Sequence, residues 1–210
     1  MPAESSQTLE RGLRLLRLLA DGRPGRTPTE LAAELGLSRP AVYRLLTTLQ
    51  SEGFVRRDGD GRVHLGFGVL VLARAVQPLL REGALPTLRR LAEEVGATAH
   101  LTVAEGDDGL AVAVVEPSWT DMHVAYREGS RHPLTRGAAG LAILALRQGR
   151  TAYAISEGQL QEGARGIAAP VPGVPWLEAS VGVVSFTPLA PESIGPRVAA
   201  AAAELAAALA

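Results

Sequence analysis

Four histidines, at positions 64, 100, 123 and 132, are the only imidazoles in a 210-residue chain without cysteine. None pairs with another at metal-ligand spacing, and no Gly-x-Ser-x-Gly elbow occurs. His100 and His123 fall on β-prone runs, where an imidazole is more often a satisfied strand residue than a base. Thiolate chemistry, a Cys-based zinc site and a serine-hydrolase site therefore have no residues to carry them, and neither an enzyme nor a cofactor is expected. The chemistry that the residue types do suggest is hydrogen bonding by arginine and hydroxyl groups. All 21 basic residues are Arg, and a guanidinium makes bidentate contacts to phosphate and guanine. In the segment PAVYRLLTTLQSEG, Ser38, Arg39, Tyr43, Arg44 and Thr47 lie away from Val42, Leu45, Leu46 and Leu49 at helical spacing. An apolar inner face with short polar and long basic side chains outside is what a helix in the DNA major groove needs. Arg44 is the candidate for reading a base edge and Arg39 for a base or a phosphate. Tyr43 and Thr47 are candidates for phosphates or a thymine methyl.

The flanking elements must present that face. QTLERGLRLLRLLA, residues 7–20, is an amphipathic helix with Leu9, Leu13, Leu16 and Ala20 at helical spacing, closed by Asp21-Gly22-Arg23-Pro24-Gly25. Thr27-Pro28-Thr29-Glu30 predicts a capping box: Thr27 as cap, Pro28 at the first helical position, and Glu30 three residues on. That short helix stops at Gly36, and Ser38 or Arg39 opens the next. Thr29, in the first turn, joins the DNA-contact candidates. Phe54–Arg57 and Arg62–Leu65 flank an Asp/Gly turn and read as a hairpin whose Arg56, Arg57 and Arg62 suit a backbone or minor groove. Helix, helix, tight turn, helix and two-stranded wing make a winged helix-turn-helix over residues 1–66.

Residues 67–82 follow as a linker whose helix spans 68–81, with Pro78 as a possible kink site. Beyond it, 83–210 alternates helices (87–96, 137–147, 199–209) with β-prone runs (98–104, 110–115, 123–126, 163–171, 179–186), an α+β pattern. The net charge is −1, with 47% hydrophobic and 20% charged residues, which suits a globular chain. Residues 1–66 carry ten Arg against eight acids, and the rest eleven against fourteen, a weakly basic first part. No apolar run of about 18 residues and no signal-peptide pattern occur, so a cytoplasmic protein without membrane contact is expected.

Several segments resemble the IclR family of bacterial regulators: Leu9–Leu16, Leu31–Leu37, Ala41–Leu49, Gly53–Val55, Leu65-Gly66, Gly129–Leu134, Ala139–Ala145 and Gly163–Val171. Each is short; their order over nearly the whole chain is specific. The resemblance implies a homodimer or dimer of dimers on a palindromic double-stranded DNA operator. It also implies a C-terminal GAF/PAS-like antiparallel sheet with flanking helices, holding a small organic effector, often a carboxylate or aromatic acid.

In that second part, the turn before Gly137 can offer a helix N-terminus to an anion, with Ala138, Ala139 and Gly140 allowing close approach. Ile167 and Ala168 are the expected opposite wall, and Met122 and Ser156 complete the candidates. A family Ser-x-Ser pattern is matched by Ser185-Phe186-Thr187. Leu141 stands where the family usually has Lys, and the segment between Ala145 and Tyr153 is shorter than the family pattern. Trp176 is a lid or surface residue. A shortened sensor leaves an alternative open, an effector-independent repressor whose second domain only oligomerises.

Overall fold

The structure, a computed structural model, describes residues 6–21, 23–78, 83–120, 124 and 126–209. The chain divides into two compact units, Met1–Val76 and Gln77–Ala210.

The first unit is built from α1 (Gln7–Leu19), α2 (Pro28–Leu35), α3 (Arg39–Ser51), the antiparallel pair β1 (Val55–Arg57) and β2 (Val63–Leu65), and α4 (Gly68–Pro78). The capping box at Thr27 forms: the Glu30 amide donates to Thr27 Oγ1 at 3.2 Å, and the Thr27 amide donates to the Glu30 carboxylate at 2.7 Å. Gly36, at φ 65°, ends α2 and turns the chain into α3. Leu15, Leu19, Leu31, Val42, Leu46, Val55 and Val63 close one core. On α1 the buried face is Gly12, Leu15 and Leu19 rather than the expected stripe, and Leu9 and Leu13 are exposed. The helix carries leucines on two adjacent stripes, and tertiary packing buries the one that includes Gly12, where the Leu45 side chain comes close. On α4, Leu70, Val71 and Leu72 are exposed. Residues 79–81 of the expected linker helix lie outside the described residues.

The second unit holds a six-stranded antiparallel sheet in the order β5-β4-β3-β8-β7-β6. Its strands are β3 (Thr98–Glu105), β4 (Asp108–Val115), β5 (Arg131–Pro133), β6 (Ala154–Glu157), β7 (Arg165–Pro170) and β8 (Ala179–Ser185). Helices α5 (Leu85–Val95) and α7 (Pro191–Leu209) cover one face, and α6 (Gly137–Arg147) covers the other. Because strand side chains alternate, Ile167, Ala169, Val181 and Val183 enter the core under α5 and α7. Ala168 and Ser180 turn instead toward α6: Ala168 packs with Ala138, Ala139 and Ala142, and the Ser180 hydroxyl donates to the Ala139 carbonyl at 3.1 Å.

Three expectations change here. The edge strands β5 and β6 were not anticipated, being three and four residues long. In the run 123–126 the described residues, Val124 and Tyr126, lie outside strands. Helix α7 starts at Pro191 and carries Pro196; one lost amide donor is tolerated because Val198, Ala201, Ala202 and Leu205 bury the same helix in the core.

Candidate functional site

Helix α3 divides as its sequence pattern requires. Val42 and Leu46 are fully buried, while Ser38, Arg39, Tyr43, Arg44 and Thr47 are exposed. Thr29 is exposed in the first turn of α2. The Thr47 hydroxyl donates to the Tyr43 carbonyl at 3.0 Å, so its proton is spent within the helix. The Arg57 guanidinium lies 5.6 Å from the centre of the Tyr43 ring, a cation–π distance that brings the wing and α3 onto one surface. Arg56 and Arg57 are exposed on β1.

Arg62 behaves differently from these. Its guanidinium donates to the Gly25 carbonyl at 2.7 Å and approaches Glu30 at 3.5 Å, so it braces the wing against the start of α2 rather than standing free. Asp58 shapes the wing turn, accepting from the amides of Asp60 and Arg62, with its other oxygen 2.7 Å from His64 Nε2. The His64 hydrogen bond, followed by those amides, holds the Asp58 carboxyl below the usual carboxylate range.

A brace that sequence reasoning missed is Arg26, only 4% exposed. Its guanidinium donates to the Leu18 carbonyl at 2.8 Å, Asp21 at 2.5 Å and Glu34 at 3.2 Å, and its backbone pairs with Val63. Hydrogen bonding to Asp21 raises the Arg26 pKa above its ordinary value. One side chain thus ties the end of α1 to α2, while its backbone holds the wing. The only sequence signal was an Arg placed directly before a helix cap.

In the second unit a cavity of about 230 Å³ opens beside the N-terminus of α6. Its walls include His100 and Tyr126, His132 of β5, Ala138 and Ala139 of α6, and Ser156 of β6. Of the expected effector residues, Ala138, Ala139 and Ser156 line it. Five others do not, for physical reasons. Ile167 faces the opposite core. Ala168 is on the right face but lies covered beneath α6. Ser185 shares the strand parity of Val183, which is the α5/α7 side, and its hydroxyl bonds that of Thr187, just beyond the end of β8, at 2.8 Å. Gly140 serves packing: a Cβ there would stand 2.4 Å from the Leu134 carbonyl oxygen. Met122 lies outside the described residues.

The helix N-terminus is not free either. The Gly137 amide donates to Gln159 Oε1 and the Ala138 amide to Ser156 Oγ, both at 2.8 Å. Opposite them a polar chain crosses the cavity wall. His100 Nδ1 is 3.2 Å from Thr102 Oγ1, which is 3.4 Å from the Tyr126 hydroxyl, which is 3.1 Å from His132 Nε2. His132 Nδ1 is 3.3 Å from the Pro133 carbonyl. Burial, then the neighbouring His132, pushes the His100 pKa down to about 3, so its ring is neutral. The alternation His100, Thr102 on β3 was the available sign of this wall; Tyr126 and His132 join it only through the fold.

Residues 8–59 match the IclR helix-turn-helix domain, and residues 75–162 match the bacterial transcriptional regulator IclR C-terminal domain. Over 143 residues the chain is 34% identical to the transcriptional repressor IclR of Escherichia coli (strain K12), an alignment covering 66% of this chain and 52% of that protein. The chain spans about half the length of the curated relatives it matches. The crystal structure of an IclR transcriptional regulator from Alicyclobacillus acidocaldarius superposes with a TM-score of 0.81 at 24% identity, covering 99% of this chain and 100% of that one. An IclR homolog from Microbacterium hydrocarbonoxydans, complexed with 4-hydroxybenzoate, superposes with a TM-score of 0.80 at 22% identity, covering 97% and 99%. The α+β architecture is therefore shared with those structures, and with both family domains matched in this order, the chain belongs to the IclR family.

Proposed function

We propose that the chain is a sequence-specific DNA-binding transcriptional regulator that responds to a small organic effector, a carboxylate or aromatic acid. The observation that carries the first half is the exposed face of α3, Ser38, Arg39, Tyr43, Arg44 and Thr47, set over a buried Val42 and Leu46 and joined to the wing by Arg57 over Tyr43. In this reading α3 enters the major groove, Arg44 reads a base, and Thr29, Arg56 and Arg57 hold the backbone. Arg62 supports the wing from behind. The protein acts in the cytoplasm without catalysis, as a homodimer or dimer of dimers on a palindromic operator. Residues 1–66 read DNA, 67–82 link, and 83–210 sense and oligomerise.

The second half rests on the cavity and on a structural relative of the same fold that carries 4-hydroxybenzoate. One observation favours a second reading, an effector-independent repressor whose C-terminal unit only oligomerises. Two of the α6 amides that suit an anion, those of Gly137 and Ala138, are already engaged by Gln159 and Ser156.

The deciding experiment selects fragments of the source genome on the purified protein, with Arg44→Ala alongside. Enrichment of a palindrome that the variant loses supports the DNA-reading assignment. No enrichment at moderate salt, with or without added carboxylates, overturns it.

A further inference from the structure

The polar chain along the cavity wall has a direction, and the Pro133 carbonyl sets it. A carbonyl oxygen only accepts, so His132 Nδ1, 3.3 Å away, carries the ring proton. In neutral His132 that leaves Nε2 as an acceptor, and the Tyr126 hydroxyl at 3.1 Å must donate to it. The Tyr126 oxygen then accepts from the Thr102 hydroxyl. Having donated its one proton, Thr102 Oγ1 accepts from His100 Nδ1 at 3.2 Å. A neutral imidazole has one N–H. His100 spends it inside the wall, and its Nε2 is left as a bare lone pair.

Two further features bear on that lone pair. His100 is 5% exposed yet lines the cavity, and its Nε2 has no hydrogen-bond partner among the described residues. Its ring lies against Gly182, where a Cβ would stand 2.7 Å from Cε1 and 2.8 Å from Nε2, so the ring fits only because that side chain is missing. His100 Nε2 is not among the solvent-excluded unpaired atoms, so solvent reaches it. A ligand that displaces that solvent without supplying a donor leaves the acceptor unpaired, which is costly.

We infer that the cavity takes a small organic ligand carrying a hydroxyl or N–H that donates to His100 Nε2, and discriminates against isosteres presenting only an acceptor there. The inference deepens the effector reading and depends on it for its biological role, but not for its chemistry. Opposite polarities then meet across the cavity: an acceptor at His100, and the amide donors of Gly137 and Ala138 behind their Gln159 and Ser156 caps.

The test is made on the full chain at pH 8, where an ordinary imidazole is neutral. Nitrogen-15 NMR of the four imidazoles, with His100 assigned through His100→Gln, reads the tautomer directly. The expected result is a protonated Nδ1 and a pyridine-type Nε2 on His100. Titration with phenol and with fluorobenzene, in which fluorine replaces the hydroxyl, then reads the preference. Phenol is expected to bind about tenfold or more tightly and to shift Nε2, and Tyr126→Phe to weaken that preference by releasing the tautomer. A protonated Nε2, or phenol binding no better than fluorobenzene, overturns the inference. DNA selection distinguishes the two levels. A protein that reads its operator but fails here loses only the ligand assignment. One that passes here but reads no DNA keeps the ligand site and loses the regulator reading.

Discussion

The Arg26 guanidinium lies 3.2 Å from the Glu34 carboxylate and is almost wholly removed from solvent, although both stand among elements that otherwise meet through leucine and valine. Removing one partner of a buried ion pair leaves the other uncompensated. Arg26→Met is therefore expected to destabilise the protein by about 2–4 kcal/mol, less than a fully enclosed pair because Asp21 and Glu34 are partly exposed. Arg26→Lys recovers little, since one ammonium cannot reach three acceptors in a planar fork. Chemical denaturation of the full chain checks both, and a Lys variant as stable as the parent would reduce Arg26 to a generic charge.

The arginines of the DNA-binding unit are expected to separate into three classes. Arg44→Ala costs about 1–3 kcal/mol in operator affinity and relaxes the preference at one base position. Arg57→Ala weakens all sequences alike and lowers the slope of log K against log salt by about one. Arg62→Ala leaves that slope near the parent value but lowers the melting temperature, because its guanidinium is engaged with the Gly25 carbonyl and Glu30. Salt-dependent binding isotherms with the three variants measure this. A reduced slope for Arg62→Ala equal to that of Arg57→Ala would return Arg62 to the DNA surface.

These contrasts mark how far the sequence was legible. The α2–α3 turn was readable because its signals are local: Thr27, Pro28, Glu30 and Gly36 each act within one helical turn. The winged helix-turn-helix and the α+β sheet unit followed from element order. What failed was facing. Helix α1 offers two leucine stripes, and only packing chose Gly12, Leu15 and Leu19. Ile167 and Ala168 are neighbours, yet strand alternation sends them to different cores. Ser185 falls on the strand face away from the cavity, and Thr187 lies beyond the end of β8. The wall that faces α6 draws His100, Tyr126 and His132 from separate segments, and no local pattern reports a convergence across the sheet.

Ser156 occupies an amide that an anion would need. Ser156→Ala removes the cap on the Ala138 amide, at an expected cost of about 1 kcal/mol in stability. It should also strengthen binding of a carboxylate effector severalfold, because the ligand no longer competes with the hydroxyl. Calorimetric titration alongside a melting curve separates the two effects. Weaker carboxylate binding would mean that Ser156 itself contacts the ligand.

Helix α4 exposes Leu70, Val71 and Leu72 in a row beside the boundary between the two units. If it couples effector binding to the spacing of two DNA readers, its apolar surface must meet a second copy. Leu72→Asp is then expected to lower the sedimenting mass at micromolar concentration and to weaken binding to a two-half-site operator more than to a single half-site. An assembly and affinity indistinguishable from the parent would remove α4 from the interface.

His100 gives stability a pH dependence whose sign can be worked out. Folding lowers its pKa from the ordinary 6.5 to about 3, chiefly by burial. Below pH 6.5 the unfolded chain binds a proton that the folded ring refuses. Stability therefore falls as the pH drops from about 6.5 toward 3, with a slope on the order of 1 kcal/mol per pH unit from this residue. Above 6.5 both states are neutral and the contribution is flat. His100→Gln keeps a polar group of similar reach without titrating. Its denaturation midpoint should be lower at pH 8, where the wall hydrogen bond is disturbed, yet decline less between pH 6.5 and 5 than that of the parent. Parallel declines over that interval would mean that the His100 ring takes up its proton in the folded protein, and that its enclosure beside Gly182 is looser than the packing of β3 against β8 requires.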